Sequence, residues 1–451
     1  MTIDSMWLSC FKTEVPEAFS EKPQFKASAV FSDGQIRLMQ SPPCEPQTWD
    51  LYIYQRFIRP YSSFLEQVDT LVIAFDNYQY VPPAKCMTQT SRRKHIPGIV
   101  FSETAPLPCM VPEGESWTQC ISNRTFKSKV VDLLMLKLPG MLLTKYPAKT
   151  IILDYDVPVK FTMDSEGKVV EEVMGEMPPQ GEADVKFTKW CDKFQKVIVD
   201  SIDGDSVPIA LIHHEMLLEK GVCPPKVSIY RMYTKDFEER RTVKQFPKLP
   251  EEGKEPEVEP FKKKTKRMFH TYEYLDVHML YTCLLEVVKQ TIGRETTMIS
   301  HAGHEGRMIV ALIILAGTDF SRQLPLVSGK TIWESLVDLW VPLMISYDPA
   351  ISQMRMGMTC DNLIKKLYAI KYFKHVSSNS HTYSDLYRDI MRSKISKKTK
   401  ESFASLARIQ TTVKNCNWML KYWQCQEVPN PISEEFGYVM VKKATKYEDT
   451  V

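Results

Sequence analysis

The sequence predicts an α/β protein with a central, mostly parallel sheet flanked by helices and a helical C-terminal region, and three observations predict it. Short apolar runs rich in Val and Ile, at Leu71 to Phe75, Thr150 to Leu153 and Val197 to Val199, have the length and side-chain branching of buried strands. Longer amphipathic segments separate them, the alternation of parallel strands joined by crossover helices. After about Trp340 the composition turns helical.

Taken in order, Gln55 to Gln67 reads as the helix feeding the first run. Val130 to Leu143 has helical periodicity, broken by Leu138-Pro139-Gly140, because proline lacks the amide proton a helix interior uses. Residues 244 to 267 combine prolines, an acidic block and a basic block with almost no apolar side chains, so they read as a mobile surface insertion away from the core. Ser405 to Tyr422 closes the pattern, with Leu406, Ile409, Val413, Trp418 and Leu420 supplying an apolar stripe. The expected division is one α/β domain over residues 1–345, with insertions at about 95–148 and 235–270, followed by a helical region over 346–451.

Composition narrows the classes. With 451 residues, 43% of them hydrophobic, the chain has enough apolar surface for a substantial core. Its longest purely apolar stretch, Met308 to Ala316, is roughly half of the ~20 residues that cross a bilayer. The opening residues lack a basic, then apolar, then small-residue export signal. A soluble, unexported protein of the nucleus or cytoplasm, with no membrane partner, is the expectation. Eleven cysteines without a CxxC pair suit free thiols in a reducing compartment and argue against a zinc site. The sequon at Asn123 would matter only after secretion. The net charge of +3 is small, but positive residues cluster at Arg92 to Lys94, Lys262 to Arg267 and Arg388 to Lys400.

The acids carry the chemistry. Asp76 closes LVIAFDN, Asp203 and Asp205 end KVIVDSIDGD, Asp319 follows the apolar run in ALIILAGTDF, and Asp4 ends the short opening MTID. Glu182 and Asp184 follow a Pro-Pro-Gln-Gly turn at the start of an expected helix. The carboxyl ends of parallel strands form the ligand-binding edge of such a sheet, so acids placed there converge from distant parts of the chain. Crowded carboxylates repel unless a cation neutralises them, and all-oxygen ligation selects Mg²⁺ or Mn²⁺. Two such ions roughly 3.5 to 4 Å apart activate water and stabilise the leaving oxygen in phosphodiester hydrolysis. Singly, each acid has a plainer reading: Glu182 and Asp184 as helix N-terminal acids, Asp203-Gly204-Asp205 as a turn.

Order and context favour the metal reading, because here the chain resembles the flap endonuclease and 5′→3′ exonuclease superfamily. VIAFDNYQYVPPAKCMTQTSRRKH is similar to the family segment in which a strand ends in Phe-Asp and is followed by prolines, a lysine and an arginine-rich helix. The resemblance assigns a metal-binding acid to Asp76 and phosphate-contacting cations to Lys85 and to Arg92 or Arg93. GEADVKF resembles both the Glu-Ala-Glu element of flap endonucleases and the Gly-Glu-Gly-Glu-His-Lys element of the 5′→3′ exoribonucleases, which assigns Glu182 and Asp184. IDGDSVPIAL resembles the Asp-x-Asp after a buried strand, assigning Asp203 and Asp205. LAGTDF resembles the Leu-x-Gly-x-Asp-Tyr element, assigning Asp319, and LPLVSGKTIWESL is weakly similar to the helix-hairpin-helix that grips the duplex backbone. TIDSMWLSCF resembles the Ile-Asp-Ala-Ser opening, which selects Asp4 as the first acid, with Asp33 of AVFSDGQIRL, in an expected hairpin turn, as its rival. The similarity covers residues 1 to about 335 as five short islands in family order. It departs in a longer segment between Asp205 and Asp319, in Asp184 for a glutamate and in lost hairpin glycines.

The resemblance implies a PIN-like, Rossmann-related catalytic domain over 1–345, two Mg²⁺ or Mn²⁺ ions, and DNA or RNA with a 5′ end or junction as substrate. The alternatives are an exoribonuclease-like enzyme and a catalytically degenerate nucleic-acid-binding or interaction protein. Other motifs carry less. HAGHEG at 301–306 lacks the His-Glu-x-x-His spacing, His213-His214-Glu215 suits a buried structural site, and Asp154 and Asp156 of TIILDYD suit supporting acids or turn residues. Trp418 and Tyr422, at helical spacing, suit the core.

Overall fold

The computed structural model describes residues 3–39, 48–77, 116–175, 181–201, 203–245, 260–292, 303–316, 332–333, 335–351, 353–356, 362–368, 382–392, 394, 396–397, 400 and 406–424. Helix α1 (Ile3–Glu14) and the short β1 (Phe19–Ser20) precede β2 (Ala29–Asp33), which passes directly into α2 (Gly34–Met39). The helices α3 (Trp49–Ile53) and α4 (Arg59–Leu65), joined by a π-helical stretch over Tyr54–Ile58, lead to β3 (Thr70–Ala74). Then α5 (Trp117–Ser122) and α6 (Arg124–Lys145) lead to β4 (Thr150–Asp154), β5 (Val159–Met163) and β6 (Val169–Val173). There follow α7 (Ala183–Phe194), β7 (Lys196–Asp200), α8 (Ser206–Glu219) and the long strands β8 (Lys226–Gln245) and β9 (Pro260–Asp276). Beyond them lie α9 (Val277–Ile292), α10 (Glu305–Ala316), α11 (Leu336–Ser346), the pair β10 (Tyr347–Asp348) and β11 (Gln353–Met354), α12 (Tyr383–Arg392) and α13 (Leu406–Gln424).

The main sheet has the order β1-β9-β8-β7-β2-β3-β4-β5-β6. Its centre, β8-β7-β2-β3-β4, is parallel throughout, and antiparallel strands close both sides. The chain builds outward from β2 to β3 and β4, then returns to the opposite side of β2 to lay down β7 and β8. This is a doubly wound order, and such sheets bind ligands at the carboxyl ends of the strands where the winding reverses, here between β2 and β7.

Both faces of the parallel strands are buried, which is why their sequences are continuous apolar runs rather than alternating ones. Val30, Leu71, Ile73, Ile151, Leu153 and Ile198 pack on one face beneath α3, α4, α5 and α6. Phe31, Val72, Ala74, Ile152, Val197 and Val199 face the other way, beneath α1, α7, α8, α9 and α10. That second core continues past residue 345 without a break: Ile409, Val413, Trp418 and Leu420 of α13 belong to it. Asn417 reinforces the junction, its side chain accepting from the Met354 N–H at 2.7 Å and donating to the Met354 carbonyl at 2.8 Å.

Three local expectations change. Helix α6 runs through Pro139 unbroken, because Val130, Leu134, Leu138 and Leu142 place a buried apolar stripe on both sides of the proline and packing outweighs the lost hydrogen bond. The apolar stretch from Met308 to Ala316 belongs to helix α10, buried on all sides, so this run is a helix rather than a strand. Residues 244–245 and 260–267, expected as part of an unstructured insertion, pair as the outer ends of β8 and β9, and 246–259 lie outside the described residues. Among the described residues no helix is long and apolar enough to cross a membrane.

Candidate functional site

Adjacent strands stand about 4.8 Å apart, so the carboxyl ends of β7, β2 and β3 fall within about 10 Å of one another. Asp200 is the last residue of β7, Asp33 the last of β2 and Asp154 the last of β4, while Asp76 lies two residues past β3. Two helices start at the same edge. Glu182 is the N-cap of α7, with Asp184 in its first turn, and Asp205 is the N-cap of α8, just after Asp203. All of these except Asp203 are buried. The partial positive charge at the α7 and α8 N-termini offsets part of the repulsion that so many buried acids would otherwise impose.

Hydrogen bonds lock these segments together. The Asp76 carboxylate accepts from the Ala183 N–H at 3.0 Å, and the Asn77 N–H donates to the Gly181 carbonyl at 2.7 Å, so the Phe-Asp end of β3 is fastened to the GEAD turn. Asp33 accepts from the Gln35 N–H at 2.8 Å as β2 turns into α2. Gly34 permits that turn: a Cβ there would stand 2.5 Å from the Phe75 ring and 2.9 Å from the Ala74 carbonyl oxygen. On the other side, the Asp205 N–H donates to Asp203 at 3.3 Å and the Ser206 hydroxyl donates to the Asp203 carbonyl at 2.8 Å.

Two cations brace this edge. Lys186, buried on α7, lies 3.0 Å from Asp154 and donates to the carbonyls of Phe75 at 3.0 Å, Asp154 at 3.2 Å and Tyr155 at 2.8 Å. Trp190 donates to the other Asp154 oxygen at 2.8 Å. Asp154 is therefore a structural acid that seats α7 on the ends of β3 and β4. Asp156 accepts from the Asn77 side chain at 3.1 Å. At the reversal point, Arg37 of α2 pairs with Asp200 at 3.0 Å, and Ser32 of β2 donates to the same oxygen at 2.8 Å.

The expected residues divide accordingly. Asp76, Glu182, Asp184, Asp203 and Asp205 share the carboxyl edge. Asp4 does not end a strand; it lies inside α1, because Leu8 and Phe11 recur at helical spacing and bury there, and the parallel sheet begins instead with AVFSD. Asp33 therefore occupies the strand-end position expected of Asp4, and its Asp-Gly pair makes a strand-to-helix passage rather than a hairpin. Lys85, Arg92, Arg93 and Asp319 lie outside the described residues.

Buried carboxylates with no His or Cys among them are a donor set suited to a hard divalent cation. Among the described residues, however, no group of three or more His, Cys, Asp or Glu is arranged to hold a metal ion. The described acids thus supply donors of the right chemistry and the right edge, without a closed set of ligands.

The His213-His214-Glu215 motif lies on α8, with His213 against Asp192 of α7, His214 against His278 of α9 and Glu215 at the start of α10. Glu215 is fully buried and accepts from the Gly306 N–H at 2.6 Å, the Arg307 N–H at 2.9 Å and the Tyr281 hydroxyl at 3.2 Å, capping α10 from outside its own chain segment. Burial pushes its carboxyl up to about 7, against the pull of those donors. A Cβ on Gly306 would stand 2.9 Å from that carboxylate, so glycine is what allows the approach. This motif is structural.

Compared with known proteins, the chain matches no protein-family model and no curated protein. Sequence reasoning missed Lys186, Arg37 and the bracing role of Asp200. Asp200 had a readable signal, since KVIVD ends an apolar run as LVIAFD does. The cations had none, because a buried lysine on a helix looks in sequence like any solvated one.

Proposed function

We propose that this protein is a divalent-metal-dependent nuclease of PIN-like fold that hydrolyses phosphodiester bonds of DNA or RNA near 5′ ends or junctions. The observation that carries the reading is the gathering of Asp33, Asp76, Glu182, Asp184, Asp203 and Asp205 at one sheet edge, at the reversal point of a doubly wound fold. Bound Mg²⁺ or Mn²⁺ would supply charge neutralisation of the phosphate and a more acidic water. The chain's own part is to hold the carboxylates in place. Asp76 is fixed by the Ala183 N–H, Glu182 and Asp184 ride on α7, and Lys186 seats that helix on the strand ends. Asp319 completes the set in this reading, and Lys85, Arg92 and Arg93 neutralise the scissile phosphate.

A second reading, a nucleic-acid-binding protein of the same fold that does not cleave, is favoured by the lack of a three-ligand group among the described residues. One assay separates them. The purified chain, given Mg²⁺ or Mn²⁺, is to cleave 5′-labelled DNA flaps or single-stranded RNA, with a metal chelator or Asp76→Ala abolishing cleavage while binding persists. Binding without cleavage under every metal tried would establish the second reading instead.

A further inference from the structure

The carboxyl edge carries a second cluster, on the β8 side, that the acids do not use. Tyr230 pairs in register with Asp200, the last residue of β7, and so marks the edge itself. From β9, Tyr274 pairs with Tyr230 and Tyr272 with Met232, which puts all three tyrosines on one face. Their rings form a layer. Tyr230 and Tyr272 lie nearly parallel, with centroids 5.3 Å apart and planes 6° apart, while Tyr274 leans on Tyr230 at 4.9 Å. Phe64 of α4 closes the layer from within, edge-on to Tyr230 at 5.4 Å. The outermost ring, Tyr272, is 53% exposed. An aromatic ring held flat by a second ring, with its own surface in water, is a platform on which a further planar group can stack.

From this platform a two-stranded ribbon leaves the sheet. Because β8 is parallel to β7, its continuation beyond Tyr230 passes the carboxyl edge, the edge where the acids lie. The stretch from Arg231 to Gln245 is 15 residues of strand, about 50 Å at ~3.3 Å per residue. Across Arg231 to Gln245 and Pro260 to Glu273 there are ten Lys and Arg against four Asp and Glu. A ribbon with so many more cations than acids suits a polyanion, and the tyrosine layer at its root suits a polyanion with planar groups.

We propose that single-stranded DNA or RNA binds at the root of the β8–β9 ribbon, a base stacked on Tyr272 and its phosphates attracted by the ribbon's excess of lysines and arginines, and that the ribbon delivers the strand to the acidic edge. The delivery rests on the nuclease reading; the binding does not. An acidic polypeptide would use the cations but gain nothing from the platform.

The test is fluorescence anisotropy of labelled thirty-nucleotide oligo-dT and oligo-U with the full-length protein in a metal chelator. Tyr272→Ala is expected to weaken binding by roughly ten-fold, with Tyr272→Trp close to wild type, since the stacking surface is what is lost. Replacing Lys262, Lys264 and Lys266 together by Glu is expected to flatten the salt dependence by about two units, as removal of three phosphate contacts requires. The preferred oligonucleotide distinguishes DNA from RNA. Unchanged affinity in both variants would overturn the proposal, and so would competition by poly-glutamate that equals the oligonucleotide and ignores Tyr272. Binding that responds to these variants in a protein that never cleaves would leave the surface standing and remove the nuclease reading. Cleavage with binding indifferent to the variants would do the reverse.

Discussion

Glu215 shows how a single buried carboxyl ties two helices and makes stability depend on pH. Its proton is held up to about 7 by burial, so between the ordinary value of 4.5 and about 7 the folded protein keeps a proton that the unfolded chain releases. Stability from this group is therefore full at low pH and falls as pH rises through that window. His214, one residue away, works the other way: burial, with His278 and His213 nearby, pulls it down to about 4, so stability rises between about 4 and 6.5. The two oppose each other over most of the window, with Arg307, Glu219 and His304 forming the adjoining ion pairs. Glu215→Gln keeps the shape of the protonated carboxyl and removes its titration. Urea unfolding should show the variant gaining about 2 to 3 kcal/mol on the wild type between pH 5 and pH 7, at ~1.4 kcal/mol per pH unit. A difference independent of pH would mean that Glu215 is ionised throughout.

The strands and their acidic ends were legible at the scale of the element, since TLVIA, TIILD and KVIVD are continuous Val- and Ile-rich runs that only a sheet covered on both faces accommodates. AVFSDGQIRL reads as a hairpin because Asp-Gly usually turns a chain back, whereas the buried β2 hands over to α2 without reversing. What decides between these is not local: it is the proximity of Phe75 to Gly34, a contact between residues 41 positions apart in the sequence. Gly34→Ala tests that contact. Displacing the Phe75 ring and the Ala74 carbonyl should cost roughly 1 to 3 kcal/mol by chemical denaturation, and the shifted β2–α2 turn should lower affinity at the acidic edge as well. A neutral substitution would show that the turn has room the structure does not give it.

Across the whole molecule, the doubly wound order places every acid of the edge, and no pattern of apolar residues alone could reveal it. The same periodicity fits many strand orders, and the return from β4 to β7 depends on which helix covers which face. The boundary expected near residue 345 is likewise a change in composition, while the core beneath α8 and α10 runs on into α13. Trp418, fully buried, should therefore stabilise the sheet as well as its own helix. Trp418→Ala is expected to lower stability by about 3 to 5 kcal/mol, with far-ultraviolet circular dichroism and tryptophan fluorescence still reporting one coincident transition. Two separated transitions would assign α13 to an independent unit.

On the proposed reading, the acids of the carboxyl edge are ligands for a divalent cation over a phosphodiester. A crystal structure of the full chain soaked with Mn²⁺ tests it most directly, because the anomalous signal of manganese locates the ion independently of the protein. The expected result is an ion bound by Asp76 with Glu182, Asp184, Asp203 or Asp205, at carboxylate distances of about 2.0 to 2.6 Å. An edge that binds no manganese at millimolar concentration, with its carboxylates more than roughly 8 Å apart, would contradict it.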